Sequence, residues 1–96
     1  MNVEVIILDE IKFTAVKFVE DDGSITLSLN ELDLVENAPT EYEAKLALGK
    51  SILEYANAFY KEFELWSNAP NRKNHIPYVL KALNYDNVEK ITECIS

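Results

Sequence analysis

The strongest constraint on the fold is an apolar stripe that follows Pro39. Leu48, Ile52, Tyr55, Phe59, Phe63 and Trp66 succeed one another in steps of four, three, four, four and three, and Leu46, Leu53 and Tyr60 widen the stripe at intervals of seven. That spacing keeps one face of a 3.6-residue helix apolar. Lys45, Lys50, Glu54, Lys61 and Glu62 fall on the other side. Thr40 is a good N-cap, and Glu43 three positions on completes a capping box. The pattern predicts a helix over 40–66 of about seven turns. Gly49 interrupts it at about 1 kcal/mol relative to alanine, and a close approach of helix to sheet is the expected reason.

A face that wide needs covering, and the preceding residues supply strands. Residues 3–8 are rich in β-branched types. In 11–19, Ile11, Phe13 and Ala15 share one parity and Val16 and Phe18 the other, which predicts a bulge or burial on both faces. "EDDGS" at 20–24 is a hairpin turn in which Gly23 takes positive φ, and Asp21 and Asp22 read as ordinary turn residues. Ile25, Leu27 and Leu29 then alternate with Ser24, Thr26 and Ser28, as in a strand with one buried face. Leu32 and Leu34 continue as a short strand ending near "ENAP".

Beyond the long helix, "SNAPN" reverses the chain. Pro77 suits the first turn of a short helix over 77–83, and Asp86 with Glu89 opens a last helix through Val88, Ile91 and Ile95. The order is β-β-β-(β)-α and two small helices. The fold class expected is α+β: an antiparallel sheet of three to four strands with one long helix packed on a face, plus two short C-terminal helices. With 96 residues, 48% of them hydrophobic, the chain reads as a single domain with a modest core. Strands occupy 1–36, the helix 40–66 and a helical cap 67–96.

Charge narrows the function. Net charge is −8; residues 1–66 hold 14 acids and 5 bases, a balance of −9, whereas 67–83 carry only Arg72, Lys73 and Lys81. Nucleic-acid binding needs a basic face that displaces counterions, so direct DNA binding is not expected. A basic protein partner suits the field better. The lone Cys94 forms no internal disulfide and fits a reducing cytoplasm; no stretch approaches a membrane span. His75 is the only imidazole, with no second His or Cys at ligand spacing, and reads as a surface or cap histidine. Two glycines permit no phosphate loop. No metal, cofactor or catalytic set is expected, and a binding protein leads. Glu31, Asp33 and Glu36 alternate as a solvated strand face, and Trp66, Asn71, Arg72 and Lys73 mark a corner out of character with the acidic chain.

Two runs carry a resemblance. "DGSITLSLNELDLVENAPTEYEAKLALGKSILEYANAFYKEF" resembles HicB-like antitoxins, and "FELWSNAPNRKNHIPYVLKAL" resembles the Phd/RelB-related antitoxins of RelE-type toxin–antitoxin systems. The likeness covers 22–83. It implies a HicB-like sheet–helix unit related to part of a ribonuclease-H-like fold. The job it implies is neutralising a cognate toxin, usually a small basic ribonuclease. Family members often repress their operon through a separate DNA-binding module. Residues 84–96 are too short for such a module and 1–20 read as acidic strands. The partner-binding candidates are Glu31, Asp33, Glu36, Trp66, Asn71, Arg72 and Lys73. Two other readings compete: a homodimeric structural or regulatory module without a toxin, and an acidic nucleic-acid mimic that inhibits a nuclease or DNA-binding protein.

Overall fold

The computed structural model describes residues 11–68 and 72–96, the side chains of Trp66 and Ser67 excepted. The strand expected over 3–8 lies outside these residues. Three antiparallel strands, β1 (Ala15–Val19), β2 (Ile25–Leu29) and β3 (Leu34–Ala38), form a sheet of order β1-β2-β3. Helix α1 (Glu41–Lys61) packs on it, and α2 (Phe63–Asn68), a 3-10 turn (Lys73–His75), α3 (Ile76–Tyr85) and α4 (Val88–Glu93) follow. The architecture is α+β. Among the described residues, no helix is long and apolar enough to cross a membrane.

The core forms where the two periodicities meet. Leu27 and Leu29 from β2 face Ala44, Leu48, Ile52, Ala56 and Phe59 from α1, all buried. Helix α1 starts as its sequence directs: the Thr40 hydroxyl accepts from the Glu43 N–H at 3.2 Å. Gly23 closes the β1–β2 hairpin at φ 86°, and the Asp22 carboxylate accepts from both the N–H and the hydroxyl of Ser24.

Several local expectations are corrected. The long helix stops at Lys61, because Glu62 leaves helical geometry at φ −119°, ψ 43°. The stripe does not register this break, since Phe63 still reaches Phe59, ring centroids 6.2 Å apart. The change of phase in 11–19 marks neither a bulge nor two buried faces. The β1–β2 register is continuous; Phe13 is fully buried, whereas Val16 and Phe18 stand exposed on the outer face of the sheet. Phe13 is fixed by a parallel bridge to Ile95, reinforced by Ala15 N–H to Ser96 O and Ser96 N–H to Phe13 O. Leu32 belongs to the β2–β3 turn, not to a strand, and is buried there while Asp33 takes φ 56°.

The glycine and the last cap differ too. A Cβ on Gly49 would collide with Thr92 Oγ1 and lie 3.2 Å from the Val88 carbonyl oxygen, so the close approach is to α4 and not to the sheet. Asp86 ends α3 in the left-handed region at φ 45°, and Asn87 caps α4 by accepting from the Lys90 N–H at 3.0 Å. Asp86 and Asn87 are adjacent short polar residues, and either tolerates the left-handed turn or caps a helix.

Candidate functional site

The three acids expected on one strand face are separated by the fold. Glu31 and Asp33 lie in the β2–β3 turn, and Glu36 lies on β3. Glu31 Oε1 accepts from the Thr14 N–H at 2.6 Å. Glu36 turns towards α1, where its carboxylate accepts from the Ser51 hydroxyl. Asp33 keeps its side chain 77% exposed and places Oδ2 3.7 Å from His75 Nε2.

That contact opens onto a cluster that spacing did not reveal. His75 is buried, and its Nδ1 lies 2.6 Å from the Tyr55 hydroxyl. Arg72 Nη1 donates to the same hydroxyl at 3.1 Å, with the guanidinium 5.8 Å from the Tyr55 ring centroid. The Tyr55 hydroxyl thus bonds both Arg72 and Nδ1, and the other imidazole nitrogen, Nε2, faces Asp33. The β2–β3 turn, α1 and the 3-10 turn thereby meet at one side chain. His75 is thus an internal hub and not a surface cap. The "NRKNH" spacing in the sequence joins Arg72 to His75, but nothing in it pairs either with Tyr55 or Asp33.

Burial first, and then the positive charge of Arg72, push the His75 pKa below its ordinary 6.5, with Asp33 pulling the other way. The unfolded chain takes up a proton as pH falls through about 6.5, while the folded chain resists it. The stability carried by this difference is complete above that pH and is lost as pH falls towards the folded-state value. Thermal melts are expected to be flat from about pH 8 to 7 and to drop as pH falls below about 6.5. His75→Gln should remove that drop. A melting temperature of the native chain that is level across the whole range would show that the imidazole is not held neutral.

The basic segment contributes less surface charge than its sequence implies. Lys81 is buried, and its Nζ donates to the Ile11 carbonyl at 2.6 Å beside the Tyr85 ring. Lys73 is exposed and Arg72 half-buried. Asn71 and the side chain of Trp66 lie outside the described residues. Among the described residues, no group of three or more His, Cys, Asp or Glu is placed to hold a metal ion.

Sheet and long helix define an α+β unit, and the Asp33–His75–Tyr55–Arg72 cluster joins its β2–β3 turn to the segment after α2. The chain belongs to the PHD-like family, antitoxins of RelE/RelB toxin–antitoxin systems, whose sequence model matches residues 2–96. It is similar, at 36% identity and a TM-score of 0.85, to a crystal structure from Syntrophomonas wolfei subsp. wolfei described as the antitoxin part of a proposed toxin/antitoxin system. That match covers 93% of this chain and 64% of the other, so the chain spans less than two thirds of its neighbour's length. No curated protein matches the sequence.

Proposed function

We propose that this chain binds and neutralises a cognate toxin, a small basic ribonuclease of the RelE type, without catalysis of its own. The observation that carries this reading is a match to antitoxins along nearly the whole chain, on a sequence with a net charge of −8. An acidic inhibitor is drawn to the surface with which a ribonuclease binds RNA, and like-charged RNA is excluded from it. The contact set proposed is the acidic turn with Glu31 and Asp33, Glu36 on β3, and Trp66, Asn71, Arg72 and Lys73. The Asp33–His75–Tyr55–Arg72 cluster links the β2–β3 turn to Arg72, which supports a shared docking surface for Asp33 and Arg72.

Stopped-flow association with a basic RelE-type toxin captured by this chain from its native cell tests the reading. The on-rate should fall as salt rises, because the screening length shortens to about 8 Å at physiological ionic strength. Reversing Asp33 to Lys, alone and then with Glu31 and Glu36, should lower the on-rate by about tenfold with a smaller change in off-rate. Melts of each variant are needed, because Glu31 and Glu36 also hold internal hydrogen bonds. An on-rate indifferent to salt and to all three reversals would remove the acidic turn from the interface.

A homodimer through the outer sheet face is the second reading. Val16, Phe18 and Val35 are exposed on that face, and a pair of such sheets would bury them. A sedimentation series that remains monomeric at every concentration excludes it.

A further inference from the structure

An apolar groove runs between the α1–α2 junction and α3. Phe59 and Val79 form its buried floor; Tyr60 and Phe63 make one wall, Leu80 and Leu83 the other. Among the described residues, its lining is apolar. Tyr60 is 69% exposed, Phe63 48% and Leu80 40%, so large apolar side chains face water along both walls. Helix α1 stops at Lys61, and Phe63, the first residue of α2, lines the groove together with Leu80 and Leu83 of α3.

We propose that this groove receives one short amphipathic helix of the toxin, apolar on one face and basic on its flanks. The proposal rests on the antitoxin reading. Three observations select this occupant. The groove holds about 250 Å³, below the roughly 300–1,000 Å³ of sites that enclose small molecules, and fits a few side-chain anchors. Both walls are helices, whose backbone groups are already paired within themselves. An extended peptide gains no ladder hydrogen bonds there, whereas a helix brings its backbone already satisfied and offers anchors at i, i+3, i+4 and i+7. A neighbouring surface hollow at the α1–α2 junction, which shares Tyr60 and Phe63 with the groove, carries Glu62 and Glu64 against Lys61, and Lys81 of α3 is turned inwards to Ile11. Basic flanks therefore complement the acids next to the groove. A second copy of this chain would set carboxylates against carboxylates in a protein of net charge −8.

The test is the complex with a basic RelE-type toxin captured by this chain from its native cell, measured by calorimetry with the full chain. Leu80→Glu places a charge on a wall that is already partly exposed; it should retain the native circular dichroism and melt and weaken binding at least thirtyfold. Glu62→Lys with Glu64→Lys should slow association without affecting the fold. Val35→Asp on the outer sheet face should leave affinity unchanged. Amide exchange should slow in residues 60–64 and 76–84 on complex formation. A complex that forms normally with Leu80→Glu, or that is lost with Val35→Asp instead, overturns the groove and leaves the antitoxin reading standing. No complex with the native chain overturns both. A native chain that dimerises while Leu80→Glu is monomeric assigns the groove to a second copy and overturns the toxin helix.

Discussion

Phe59→Ala is expected to destabilise the fold by about 3–5 kcal/mol. Phe59 is 1% exposed and joins three parts of the molecule. Its ring centroid is 6.0 Å from that of Tyr55 and 6.2 Å from that of Phe63, and its inner side lies against the shared core. Truncation leaves a cavity at the place where α1 ends, and the neighbouring backbone has little freedom to close it. Chains of 96 residues have total stabilities of about 5–14 kcal/mol, so the loss is a large share of the whole. Urea unfolding should show a much lower midpoint at an unchanged slope. Phe59→Leu, which keeps most of the volume, should lose markedly less. A midpoint barely moved by Phe59→Ala would mean that the ring is not part of the core. Phe59 also floors the groove, so binding is better probed at Leu80, where stability and docking separate.

The second large effect is expected at Gly49, where size and not conformation is the limit. Gly49→Val should destabilise by about 3 kcal/mol, because α1 and α4 are in contact there and the added branches overpack the seam. Gly49→Ala sets a smaller clash against about 1 kcal/mol of gained helix propensity. Thr92 decides the balance. Its hydroxyl bonds the Val88 carbonyl at 2.7 Å and stands where the new Cβ would go. Combining Gly49→Ala with Thr92→Ala should therefore be less damaging than the sum of the two single changes, since the pair are neighbours and additivity fails for neighbours. Strict additivity in chemical denaturation would show that α4 does not press on Gly49.

Much of the architecture was legible because local periodicity and turn chemistry agree with the global fold. The alternation of Ile25, Leu27 and Leu29, the positive φ at Gly23 and the cap at Thr40 all stand where residue type requires them. Errors gathered where two residues are equally suited to one task, or where a period survives a break. Asp86 and Asn87 exchange roles because both are short and polar. The helix break at Glu62 is invisible to a stripe that Phe63 carries across it. The acidic trio was legible as composition only, since spacing along the chain does not say towards which element each carboxylate turns.

The α+β class, the first hairpin, the start of the long helix and the acidic character were set by the sequence. These follow from interactions that reach no more than about four residues along the chain, or from sums over it, whereas the antitoxin resemblance rested on likeness to a known family. Only the tertiary structure decided that Gly49 meets α4, that Lys81 holds Ile11, that His75 is buried between Tyr55 and Asp33, and that an apolar groove opens beside α3. Each of these joins residues far apart in the chain, and its partner is chosen by how helices and sheet close on one another. A buried polar group takes whichever neighbour packing brings within hydrogen-bond reach, and no local pattern in the sequence names that neighbour.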